Sequence, residues 1–217
     1  MKNLLLKLKN DRRFRYRFTL QVSIVFNLVY AIFLYVIAKI NDSKWFLVMS
    51  FYYSLLSIVR CLIGFRISEK VKEISKLKAL RFCGFFLLFI NLVVSVVSII
   101  LIFENNRNSY HQIIVIALAT YTFYAITVAI VGIVRQVKSN DAVLVCKAVI
   151  SLTSASVSLL TLTDTMLTTF GSENTLLRSV VMPLLSVGVS IFIILMAIFM
   201  IKKSNLYIRK YKYEKER

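Results

Sequence analysis

Glycine and proline are scarce in this chain, with five of the first and one of the second among 217 residues. Average proteins carry about 7% and 5%, and membrane helices usually carry more of both than soluble ones. Transporters that hold substrate on freed backbone groups use helices broken at such residues. Only the segment holding Pro183 and Gly188 offers an obvious break, so the other helices are expected to run unbroken. Histidine is down to His111 and cysteine to Cys61, Cys83 and Cys146. One imidazole without clustered thiols argues against a transition-metal site, and no metal or cofactor is expected. The chain has no H-E-x-x-H, G-x-S-x-G or Walker loop. Asp164 stands alone inside its apolar run, so no pair of intramembrane aspartates exists and no enzyme is expected.

What the chain has in abundance is apolar length. Hydrophobic residues make up 59% of it, with mean hydropathy +0.76, against about 45–50% in soluble domains. A hydrocarbon core of ~30 Å needs ~20 apolar residues of helix. Six runs meet that length: 18–40, 45–65, 82–103, 111–134, 148–170 and 179–201. The expected fold is therefore all-α, a bundle of six transmembrane helices. It divides into a basic amphipathic segment 1–17, a membrane domain 18–201 and a basic tail 202–217. Short turns join spans 1 and 2, 3 and 4, and 5 and 6, which predicts three successive hairpins.

Charge orients the bundle. Of 28 Lys and Arg residues, 23 fall before span 1, in the second and fourth connections and in the tail, while 4 fall on the other side. Arg60 lies within span 2. Short loops rich in Lys and Arg stay cytoplasmic, so both termini are expected there, in what reads as a bacterial plasma membrane. The +18 net charge could suggest nucleic acid. These cations flank membrane spans instead, where each gains ~1 kcal/mol from anionic headgroups. The expected partner is thus an anionic bilayer surface, with room for a homo-oligomer or a membrane partner and none for nucleic acid. The three cysteines fall near the cytoplasmic ends of their spans, where a reducing compartment keeps thiols free.

The basic stretch MKNLLLKLKNDRRFRYRF is too long and lacks the small-residue site of a cleavable signal. It reads either as an interfacial amphipathic helix or as a solvated leader that enforces topology. The second connection, RISEKVKEISKLKALR, reads as a short surface helix or as extensions of spans 2 and 3. Ser139, Asn140 and Asp141 suit the N-cap of span 5, Gly171 suits its C-terminal stop, and the tail is expected to continue span 6.

Span 5 is the unusual one. Ten of its 23 residues are Ser or Thr. Ser151, Ser154, Ser158, Thr161, Thr165 and Thr168 alternate by three and four residues, which at about 100° per residue gathers them on one face. Leu152, Ala155, Leu159, Leu162 and Met166 fall opposite and are expected to meet lipid. The seam can line a polar cavity or serve close packing through interhelical hydrogen bonds.

Asp164 lies in the last third of the same span, within a turn of Thr161, Thr165 and Thr168. A carboxylate there costs ~2.5–3.5 kcal/mol on insertion scales, so it needs a partner, a wet pocket or a proton. Arg60 lies six residues before Arg66. It is expected to snorkel to the cytoplasmic headgroups, with a buried partner or an anion site as the alternative. His111 opens span 4, either as plain interfacial polarity or as a titrating partner for Asp164. Asn27 suits an interhelical hydrogen bond, and Tyr121, Tyr124 and Thr127 on span 4 are candidates to meet the seam.

Two functions follow. The first is a small transporter or channel for an ion or small solute, its path lined by span 5. The second is a non-transporting scaffold, regulator or subunit of a larger membrane complex, favoured by the continuous helices and basic ends. WFLVMSFYYSLLSIVR and YTFYAITVAIVGIVR resemble segments of small bacterial multi-span proteins, a likeness that covers two spans and implies no activity.

Overall fold

A computed structural model describes residues 12–68, 73–103, 110–137, 142–170 and 175–216. They form six helices: α1 (Arg12–Ile40), α2 (Lys44–Ser68), α3 (Glu73–Phe103), α4 (Gln112–Val137), α5 (Ala142–Phe170) and α6 (Thr175–Glu216). Five contain stretches long and apolar enough to cross a membrane: Gln21–Ile40, Lys44–Ile63, Gln112–Val134, Leu144–Phe170 and Val180–Arg209. By length and composition the chain is an integral membrane protein. In α3 the apolar run among the described residues is Leu80–Leu92.

The second connection resolves into extensions of its flanking helices, with α2 running to Ser68 and α3 starting at Glu73. The tail continues α6 as expected. At 42 residues this helix is ~63 Å long, about twice the hydrocarbon thickness. Pro183 does not break it. Proline removes one backbone bond, and neighbouring groups in a membrane bundle re-satisfy what it frees. Residues 1–11, the caps at 138–141 and the stop at Gly171 lie outside the described residues.

Three helix pairs pack along their lengths: α1 with α2, α4 with α5, and α3 with α6. Only the first of these is an expected hairpin: α4 packs chiefly on α5, and α3 lies against α6 and not along α4. Small residues explain the choice. A Cβ on Gly84 would sit 2.8 Å from Ile201 Cγ1 and 3.2 Å from the Ala197 carbonyl oxygen, so only glycine lets α3 approach α6 this closely. Polar pairs then fix the register. Asn91 Nδ2 donates to Ser190 Oγ at 3.0 Å, Ser95 bonds the same hydroxyl, and Ser204 Oγ donates to the Leu77 carbonyl at 2.7 Å.

The α1–α2 turn is a Schellman-type stop. Asp42 takes a left-handed φ of 47°, and the Ser43 amide bonds the Ala38 carbonyl at 3.0 Å. That tight turn clamps α2 along α1, where Ser50 Oγ donates to the Ala31 carbonyl at 2.8 Å.

Helix α5 is the axis of the bundle. It touches α2, α3, α4 and α6, and 78% of its apolar window is buried against 17% for α6. Val25, Val29, Ile32 and Val36 on α1 and Val180, Leu184, Val187 and Ile191 on α6 point outward as lipid-type surface.

Candidate functional site

Where α1, α2, α4 and α5 meet, their polar residues form one buried layer. Arg60 of α2 anchors it, with only 5% of its surface exposed. Its Nη1 donates to Ser23 Oγ at 2.6 Å and to the Ser23 carbonyl at 3.3 Å. Its Nη2 reaches the Ile150 carbonyl of α5 at 3.5 Å. Snorkelling is therefore corrected. Side chains on a helix lean toward its N-terminus, and on α2 that direction leads away from the basic end. The long stem that was expected to reach headgroups turns into the bundle instead. All its hydrogen-bond acceptors are neutral, and no carboxylate among the described residues pairs with it.

Tyrosines fill the next turn, where hydroxyls bond Asn27 and Ser154, each four residues beyond the Ser23 and Ile150 that Arg60 holds. The rings of Tyr30 and Tyr121 stack at 3.4 Å between centroids, nearly parallel at 4°. Tyr53 meets both edge-on, at 4.8 Å and 5.8 Å, and Tyr52 meets Tyr53 edge-on at 5.4 Å. Edge-to-face pairs set a ring's positive rim against its neighbour's negative face. Hydroxyls link the helices. Tyr121 donates to Asn27 Oδ1 at 2.8 Å and stands 3.5 Å from Ser154 Oγ. Tyr53 donates to the Ser154 carbonyl at 3.0 Å, and Thr122 to that of Ser158 at 3.3 Å. Tyr124 stacks on Phe26, while Thr127 faces outward and bonds its own helix.

The layer is not saturated. Asn27 Nδ2, Tyr30 OH and Tyr52 OH are buried with no hydrogen-bond partner, on residues no more than 4% exposed. Such groups cost ~1–3 kcal/mol each when left unpaired.

The hydroxyl seam of α5 is buried at Ser151, Ser154, Ser158, Thr161 and Thr165, and half-buried at Thr168. Most of these hydroxyls bond carbonyls of their own helix: Ser158 to Ala155, Thr161 to Val157, Thr165 to Thr161, and Thr168 to Asp164. Of the face expected to meet lipid, Leu159 and Met166 are exposed and Leu152 is half-buried, but Ala155 and Leu162 are buried. Helix α5 has neighbours on several sides, which leaves it a narrower outward stripe than a peripheral helix has.

Asp164 is buried at 7% exposure. It lies about 21 Å along α5 from Ile150, so the candidate residues divide between two levels. Asn27, Arg60, Ser154 and Ser158 belong to the tyrosine layer. Thr161, Asp164, Thr165 and Thr168 belong to the level toward the C-terminus of α5. His111 joins neither. It is exposed and caps α4, its Nδ1 accepting the Ile113 amide at 3.4 Å and its carbonyl the Ile114 amide at 2.9 Å.

Sequence reasoning missed Ser23, Tyr30, Tyr52 and Tyr53. The available signal was the mid-span tyrosine pair in SFYYSLLSIV, which points to Tyr52 and Tyr53 and leaves Ser23 and Tyr30 unmarked. The chain matches no protein-family model, curated protein or solved structure.

Proposed function

We propose that the chain is a small six-span transporter or channel of the bacterial plasma membrane, with both termini cytoplasmic. Its ion or small solute meets the protein at the layer around Arg60, where the α5 seam crosses the tyrosines. One observation carries this reading: a permanently charged guanidinium is buried inside a membrane bundle among neutral acceptors. Charges inside membranes are costly and mark ion or substrate paths. Asn27, Tyr30 and Tyr52 support it, because their unpartnered polar atoms gather in this one layer.

The second reading, a non-transporting subunit, draws support from the back-bonded hydroxyls of α5. A seam that satisfies itself is suited to packing.

The readings separate in proteoliposomes mixed with hyperosmotic solutions of potassium chloride, potassium phosphate, potassium glutamate, alanine or glucose, with valinomycin carrying potassium. Solute entry reswells the vesicles and lowers light scattering. Transport predicts reswelling with at least one solute, lost in Arg60→Met. Reswelling with none, or equal reswelling in the variant, contradicts it.

A further inference from the structure

We infer that the layer around Arg60 is a binding site for a small monovalent anion of halide size. The inference rests on the proposed function and names the chemical class of its ion.

Charge gives the sign. Among the described residues the guanidinium is the one ionised group of the layer, and its hydrogen-bond partners are the hydroxyl and carbonyl of Ser23 and the carbonyl of Ile150. Desolvating an ion costs several kcal/mol unless an opposite charge and further hydrogen bonds offset it. An anion supplies that charge, and a single one balances a single arginine. A divalent anion would leave a negative charge buried in its turn.

Donors give the chemistry. Asn27 Nδ2 can only donate, and the Tyr52 hydroxyl is free to do so. Asn27 lies one turn from Ser23 on α1, the turn that Arg60 already grips. Tyr52 meets Tyr53 edge-on, and the Tyr53 hydroxyl bonds the Ser154 carbonyl, one turn along α5 from the Ile150 carbonyl that Arg60 reaches. The Nη2 bond to Ile150 is at the outer limit of a hydrogen bond, at 3.5 Å, so that nitrogen has donor capacity to spare. Asn27 and Arg60 thus offer N–H donors from two helices beside one positive charge, and Tyr52 adds an unpartnered hydroxyl in the adjoining tyrosine cluster.

Packing gives the size. Tyr30, Tyr53 and Tyr121 close the layer with centroid spacings of 3.4 to 5.8 Å. Rings in contact with one another leave no room for the organic tail of a carboxylate, so a bare ion suits the layer better.

The test uses the full chain in lipid nanodiscs at fixed ionic strength. Sodium gluconate is exchanged for sodium chloride or bromide, and the thermal midpoint is followed as a function of halide concentration. A ligand of the native state raises the midpoint by mass action. The wild type is expected to rise with halide and not with gluconate. Arg60→Met should abolish the rise. Asn27→Asp, which places a carboxylate beside the guanidinium, should also abolish it while leaving a folded protein, so the test survives if the methionine variant does not fold. No halide response in the wild type overturns the inference, and so does an equal response in Asn27→Asp. Reswelling with glucose or alanine but no halide response removes the anion and keeps transport. A halide response lost in Asn27→Asp without any reswelling keeps the anion site and removes transport.

Discussion

The α3–α6 pair and the layer shared by α1, α2, α4 and α5 both bury polar groups in a membrane bundle, yet they treat them differently. Between α3 and α6, Asn91, Ser95, Ser190, Leu77 and Ser204 satisfy one another around the close approach at Gly84. Ser186 Oγ is the one buried side-chain atom on these helices that goes unpaired among the described residues. In the tyrosine layer, three buried groups have no partner and a buried arginine has no counter-charge among the described residues. The first region has the economy of packing, and the second has the excess donors of a site that expects something more. Binding sites commonly trade stability for function in this way.

The contrast breaks first at Gly84. Gly84→Val pushes a branched side chain into Ile201 and the Ala197 carbonyl. It should destabilise the protein by about 1–3 kcal/mol, read by denaturant titration in mixed micelles. Asn91→Leu removes two donations to Ser190 and should cost about 0.6 kcal/mol and at most about 1.7. If it costs nothing, the α3–α6 polar pairs are decoration and the comparison loses one side. Tyr121→Phe removes the bond to Asn27 and should lower stability by about 1 kcal/mol, because it adds an unpaired Asn27 oxygen to the amide nitrogen already orphaned. Gly188 has nothing within 4 Å of where a Cβ would stand. Gly188→Ala should therefore raise helix stability, by about 0.5–1 kcal/mol. A loss there would mean that α6 meets a partner on that face.

Much of the architecture was legible in residue order. Apolar length located the helices, because desolvated backbone demands helix over ~20 residues. The three- and four-residue spacing of Ser154, Ser158, Thr161 and Thr165 placed them on a buried face. Pairing was less legible. Nothing in span length shows that Gly84 and Ala197, over a hundred residues apart, prefer each other to nearer neighbours. The site was half legible. Arg60 stood out by its charge, but its direction depends on which way α2 runs and what it can reach. Tyr30, Tyr52 and Tyr53 looked like ordinary membrane aromatics, since only a folded bundle shows which hydroxyls find acceptors.

Tyr52 tests the central claim most directly. Tyr52→Phe keeps the ring that packs on Tyr53 and deletes only a hydroxyl with no partner. Thermal midpoint and vesicle reswelling are to be measured on the same preparation, with whichever solute the wild type admits. A ligand site predicts that the midpoint measured without that solute holds or rises slightly, while the reswelling rate falls by up to about tenfold, the ~1.4 kcal/mol of one good hydrogen bond. A midpoint that drops while reswelling is unchanged would contradict the account, and would make the tyrosine layer packing after all.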